Sequence, residues 1–169
     1  MSARLHYRVD VSRTRSHTIG VTLTIQAPER EMTLSLPVWI PGSYMVREFG
    51  RHLSGLRARQ GRQAATVQQL DKTTWQVQLG PRAASRTALV IEYDVYAFDT
   101  SVRTAFLNTE RGFFNNTSVC LRVHGREAEA HEMSLVGLPR GWEVATGMDP
   151  VPSAASSWRA RDYDELVDH

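Results

Sequence analysis

Apolar and polar residues alternate with a period of two along most of the chain. Leu5, Tyr7, Val9 and Val11 alternate with Arg4, His6, Arg8 and Asp10, and Ile19, Val21, Leu23 and Ile25 alternate with Gly and Thr. Met32, Leu34, Leu36, Val38 and Ile40 form a third register. Trp75-Val77-Leu79, Leu89-Ile91-Tyr93-Val95 and Val119-Leu121-Val123 repeat it. Successive side chains on a strand point to opposite faces, so each set defines one face against a core and one in water. β-Branched and aromatic residues fill these runs, and Gly, Pro, Asn or Ser clusters separate them. The pattern predicts an all-β domain of roughly six to ten strands, an antiparallel β-sandwich or saddle-like sheet pair. Helix is limited to one or two short turns, near residues 44–52 after Pro41-Gly42 and again at 162–168. Residues 57–66 and 80–86 read as hairpin loops, and 147–157 (GMDPVPSAASS) as a linker-like loop. Residues 1–169 otherwise read as a single domain without repeats, ending in an acidic stretch that looks like a domain boundary.

Composition narrows the classes. With 169 residues, 41% of them hydrophobic and 22% charged, the chain is long and apolar enough to bury a core, which excludes disorder. It has no run of about 18 apolar residues and no secretory signal in its first twenty positions, so no membrane partner and a cytoplasmic location are expected. The net charge is +2, but residues 1–62 hold ten Arg against four acids, and nineteen of the twenty basic residues are Arg. These Arg residues stand singly among apolar positions, without the basic stripe and interleaved aromatics of a nucleic-acid surface, so no nucleic-acid partner is expected.

Catalytic chemistry is hard to find. His131-Glu132 begins like the zinc motif H-E-x-x-H, but Leu135 stands where the second imidazole must be, and the flanking MSLVGL reads as a strand. Cys120 lies inside an alternating run and reads as a small buried thiol. Gly42-Ser43-Tyr44 lacks the second Gly of a nucleophile elbow. This chain is therefore expected to hold neither a catalytic residue nor a metal ligand. Two segments stand outside the alternation. Residues 36–52 place Trp39 between two prolines and follow Pro41-Gly42 with Ser43, a candidate cap for a short helix carrying Tyr44, Arg47 and Glu48. Residues 108–118 combine Glu110-Arg111, Gly112, Phe113-Phe114 and Asn115-Asn116. Either segment can be a turn whose polar side chains hold its own backbone, or a surface that contacts a ligand.

LPVWIPGSYMVREFGRHL followed by AFLNTERGFFNNTSVCL resembles the amino-terminal domain of the glycyl aminopeptidases, family 61 of the zinc metallopeptidases. ARDYDELVDH resembles the stretch by which that domain enters the catalytic one. The likeness runs nearly end to end and is densest over 36–56 and 91–121. Asn116 departs from it, because Gly is expected there, and a tight loop would then hold Asn in the left-handed conformation.

The resemblance implies a parent aminopeptidase of three parts: this β domain, a helical domain whose H-E-x-x-H holds zinc, and a PDZ domain. Zinc is then expected in the catalytic domain of the same polypeptide, this chain's partner, and the chain alone is inactive. The resemblance also implies a role in positioning a peptide amino terminus. Glu110 would meet the α-ammonium, Asn115 and Asn116 would add amide acceptors, and Tyr44 would face the cleft from the other loop. Arg111 and Arg47 would pair with acids to stiffen the loops, or bind a substrate carboxylate. The same loops serve equally well as a docking surface for the catalytic domain, one that could also self-associate if left bare. The rival reading is a stand-alone β-sandwich binding module for peptide or carbohydrate, with Trp39, Phe113 and Phe114 as exposed stacking platforms.

Overall fold

A computed structural model describes residues 4–40, 44–81, 83, 84 and 86–169. Among the described residues, thirteen strands follow one another: β1 (Leu5–Arg13), β2 (Thr18–Ile25), β3 (Glu31–Ser35), β4 (Leu53–Gln60), β5 (Gln63–Gln69), β6 (Thr74–Gln78), β7 (Leu89–Tyr96), β8 (Ala105–Leu107), β9 (Gly112–Phe114), β10 (Arg122–Val123), β11 (His131–Val136), β12 (Asp149–Pro150) and β13 (Ser157–Ala160). One helix, α1 (Tyr163–Asp168), closes the chain at the helical turn foreseen there. The fold is all-β, as the alternation predicts. Strands beyond the expected number are either very short, like β10 and β12, or largely exposed on both faces, like β5. Neither kind writes a period of two into the sequence.

Eleven strands join in the order β10-β3-β6-β5-β4-β7-β2-β1-β11-β13-β12, and β8 with β9 forms a separate pair. The large sheet turns a corner at β5. Gln63, Ala64 and Ala65 pair with β4, whereas Thr66–Gln69 pair with β6. A strand that changes partner along its length folds one part of a sheet over the other. Met32, Leu34, Trp75 and Val77 from one part thus share a core with Leu23, Ile91 and Tyr93 from the other. The segment 57–66 is not a loop: its turn is Gly61-Arg62 alone, with Gly61 at φ +60°. Residues 147–157 supply β12 and the turn that pairs it back onto β13. Among the described residues, no helix is long and apolar enough to cross a membrane.

One buried segment departs from the predicted strand. Asn116 through Leu121 are buried at every position, without alternation, and only Arg122 and Val123 pair with a neighbour, β3. A backbone enclosed on all sides without a ladder must find partners for its carbonyl groups. Three tyrosines supply them. The Tyr93 hydroxyl donates to the carbonyl of Val119 at 2.8 Å, Tyr163 to Cys120 at 2.8 Å, and Tyr7 to Leu121 at 2.6 Å. These phenols come from β7, α1 and β1. Burial pushes all three well above the ordinary phenol range, so they remain protonated donors. Between them lies Cys120, whose thiol is fully buried and strongly raised by the same burial, an inert core group as its place in the sequence suggests.

A buried histidine sits beside this cluster. His131 is 0% exposed, and its Nδ1–H donates to the Glu129 carbonyl at 2.8 Å. Its ring stacks on Tyr7 at 6.0 Å and meets Tyr163 at 5.7 Å. Among the described residues, Nε2 has no partner. Burial lowers the His131 pKa, more than the neighbouring Glu129 and Asp162 can raise it.

Each of Tyr7→Phe, Tyr93→Phe and Tyr163→Phe is expected to lose about 1–3 kcal/mol in urea unfolding, because a buried carbonyl is left unmet. The exposed Tyr96→Phe should stay within about 0.5 kcal/mol. The folded state keeps His131 neutral, while the unfolded chain protonates it below about pH 6.5. Stability is therefore full above that pH and falls as pH drops through it, by at most about 1.4 kcal/mol per pH unit for one proton. His6 and His52 shift in the same direction. A His131→Phe variant should accordingly flatten the dependence of Tm on pH between 7.5 and 5 without abolishing it.

Candidate functional site: the Asn108–Arg111 hairpin and its neighbours

The second unusual segment folds as a hairpin followed by a 3₁₀ turn. Ala105, Phe106 and Leu107 pair with Phe114, Phe113 and Gly112. Between the strands, the Asn108 side-chain oxygen accepts the backbone N–H groups of Glu110 (2.9 Å) and Arg111 (2.8 Å), and Asn108 N–H donates to the Arg111 carbonyl at 3.0 Å. An Asn that satisfies the backbone two and three residues ahead closes a turn without help from elsewhere. Glu110 and Arg111 stand exposed at its tip. Among the described residues, the Glu110 carboxylate makes no hydrogen bond or ion pair. Arg111 does not pair with an acid among the described residues; its guanidinium lies 5.1 Å from the ring centre of Phe106, a cation–π contact.

Asn115 and Asn116 are used internally. The Asn115 oxygen caps the 3₁₀ turn Asn116–Ser118, accepting from the N–H and the hydroxyl of Thr117. Asn116 is only 3% exposed. Its amide donates to the Leu166 carbonyl of α1 at 2.6 Å, and its oxygen faces the Cys120 thiol at 4.0 Å. Asn116 is not left-handed, since positive φ at non-glycine residues among those described is confined to His17, Ala27 and Ser156. The expected left-handed conformation is therefore absent. Asn is instead a buried tie to the C-terminal helix, which Gly has no side chain to make.

The first unusual segment comes close by. Its 3₁₀ turn, Phe49–His52, packs on β7 and on the Asn116–Ser118 turn. Phe49 and Gly50 are buried, and a β-carbon on Gly50 would fall 2.3 Å from the Lys72 carbonyl, so backbone meets backbone there. The proposed cap Ser43, with Pro41 and Gly42, lies outside the described residues. Helical geometry begins only at Phe49, later than expected. Tyr44 is fully exposed, and the Arg47 N–H donates to the Val38 carbonyl at 2.7 Å. His52 and Ser118, one from each segment, line a small cleft with Tyr96, Asp99 and Thr104. The two segments thus meet through their last turns.

Aromatic exposure is mixed. Trp39 is 58% exposed and Phe113 is 45%, whereas Phe114 packs partly against the core. The other side of the hairpin lies on the loop after β11: Gly112 leaves room for Trp142, whose ring would stand 3.2 Å from an added β-carbon. There Phe113, Phe114, Trp142, Trp158 and Met133 wall an apolar pocket of about 190 Å³.

Sequence reading missed two contributors. Asn108 organises the turn, and His17 reaches it from the main sheet, its Nδ1–H donating to the Leu107 carbonyl at 2.6 Å. The local signal for Asn108 is an Asn opening a polar turn. For His17, the signal is a side chain known to tolerate positive φ, placed between two strand registers.

Among the described residues, no three His, Cys, Asp or Glu groups are placed to hold a metal ion. His131 is enclosed, and Glu132 pairs with Arg159 at 3.5 Å on strand β11. The donor set among these residues does not fit zinc.

This architecture is matched over residues 6–169 by the model of the peptidase M61 N-terminal domain. The chain belongs to that family. Its structure is similar to a crystal structure of an aminopeptidase N family protein from Idiomarina loihiensis, at 38% identity and a TM-score of 0.87, covering 97% of this chain and 28% of that one. An M1 zinc metallopeptidase from Deinococcus radiodurans matches at 14% identity and a TM-score of 0.44, over 78% of this chain and 30% of that one. Among curated protein sequences, none matches this chain.

Because Asn116 serves as a buried tie, Asn116→Gly should destabilise the domain by about 1–3 kcal/mol, as should Asn116→Ala. Amide exchange should rise first in α1. A stabilising Gly substitution would show instead that the backbone at 116 prefers the left-handed region.

Proposed function

We propose that this chain positions the peptide amino terminus for a zinc-dependent aminopeptidase and docks onto its catalytic domain within one polypeptide. The observation that carries the reading is Glu110, an exposed carboxylate with no partner among the described residues, on a turn fixed by Asn108. A free α-ammonium is recognised by a carboxylate held at a set distance from the scissile bond, and a rigid turn holds that distance without further ordering on binding. Arg111, bound over Phe106, leaves that carboxylate to the ligand. Zinc, when bound in the catalytic domain, would polarise the scissile carbonyl and activate water. The groups of this chain would bind and orient the amine.

Docking draws on a different observation. Val38, Trp39, Tyr44, Met45 and Val46 expose large apolar surface in one segment, more than a solvated loop needs. The chain also spans only 28% of the similar aminopeptidase N family protein. Trp39 and Phe113 are exposed enough for the stacking platforms of a stand-alone module, but membership of a peptidase domain family favours a covalently joined partner.

In the full-length natural polypeptide, Glu110→Gln should lower kcat/KM about 10- to 100-fold for aminoacyl amides with a free amine. Turnover of the N-acetylated forms, already poor, should not change. Identical kinetics for the two proteins would remove Glu110 from substrate recognition and leave docking as the role of these segments.

A further inference from the structure

We infer that His17 is a positioning residue that fixes the Asn108–Arg111 turn, and with it Glu110, against the main sheet; the inference rests on the amine-recognition reading above. The β8–β9 pair is not part of the eleven-stranded sheet. It is tied to the end of β7 by few bonds. Phe98 bridges to Phe106, Asp99 N–H donates to the Ala105 carbonyl at 3.1 Å, and Leu107 N–H donates to the Ala97 carbonyl at 2.8 Å. The Leu107 carbonyl, the last before the turn, accepts from His17. Both backbone groups of Leu107 are thus held by the main sheet, immediately before the residue that closes the turn.

His17 is itself held on several sides. Its carbonyl accepts from Ala97 N–H at 2.7 Å, and its ring lies 3.9 Å from Phe98 and edge-on to Tyr96 at 6.4 Å. A carbonyl only accepts, so Nδ1 carries the hydrogen, and the contact fixes both ring orientation and tautomer. The backbone at His17 is left-handed, at φ +54°. That conformation is strained for a side chain with a β-carbon and relaxed for Gly. What Gly cannot supply there is a ring donor directed at the base of the hairpin. A left-handed residue whose ring gives one directed hydrogen bond to the base of the turn points to positioning rather than filling.

The test uses the full-length polypeptide and two variants. His17→Phe keeps an aromatic ring against Phe98 but removes the donor; His17→Asn tolerates the left-handed backbone and offers an amide donor. In His17→Phe, hydrogen exchange over residues 105–114 should quicken about tenfold while the rest of the domain is unmoved. KM for a free-amine aminoacyl amide should rise about five- to tenfold, with kcat within about twofold. His17→Asn should fall between this variant and the parent in both measurements. Unchanged exchange over 105–114 overturns the inference, whatever the kinetics. So does faster exchange with an unmoved KM, provided Glu110→Gln does raise KM. If Glu110→Gln is silent, the amine-recognition reading has failed instead, and the exchange measurement alone then judges whether His17 anchors the hairpin.

Discussion

Three consecutive carbonyls, those of Val119, Cys120 and Leu121, lie in the interior without a strand to pair them, and three tyrosine hydroxyls from β7, α1 and β1 meet them one by one. A buried, unpaired carbonyl is expensive, so the irregular segment can cross the core only with these donors in place. The consequence is architectural. Each donor belongs to a different element, so the segment joins the middle of the sheet, its parallel β1–β11 side and the C-terminal helix. Asn116 adds a fourth tie by reaching the Leu166 carbonyl. The 3₁₀ turn that follows the hairpin is consequently anchored to the core at its far end.

The hairpin depends on that anchorage because it lies outside the large sheet. Its near end is held by Ala97, Phe98, Asp99 and His17, and its far end by the Asn115 cap and the tyrosine-bound segment. Between these, Asn108 closes a turn from its own side chain and leaves the charged tip to solvent. This is the arrangement expected of a presenting element: two fixed ends, internal polar groups already satisfied, and a carboxylate without an internal partner. The other unusual segment contributes differently. Gly50 lets its backbone touch that of Lys72, and the residues before it turn apolar surface outward. The first segment thus leaves a run of bare apolar side chains, and the hairpin leaves a charged tip in solvent.

The main strands were legible in the sequence because a sheet with one buried face enforces strict alternation. Tyr7, Val9, Val21, Leu23, Ile91 and Tyr93 could be placed on the core face before any coordinates. The two segments to which the proposed function is assigned were legible for the opposite reason: their Pro, Gly, Asn and charged residues break the alternation. That residues 119–121 are not a strand was illegible. Alternation describes a half-buried backbone, and this one is buried all round, a fact that depends on elements distant in the chain, up to 114 residues away for Tyr7. The corner at β5 was hidden too, since a strand exposed on both faces carries no period.

What the sequence determined by itself is the class: an all-β chain carrying two motifs of the M61 amino-terminal domain. Tertiary structure alone decided the duties of the polar groups within those motifs. Asn115 and Asn116 have the same side chain and adjacent positions, yet one caps a turn and the other ties the core to α1, while Glu110 has no partner among the described residues. His17, more than ninety positions from Glu110, joins it only through folding. Side-chain chemistry is written in the chain, but which partner satisfies a donor or acceptor is a matter of three-dimensional neighbours, and those form only when the sheet closes over its core.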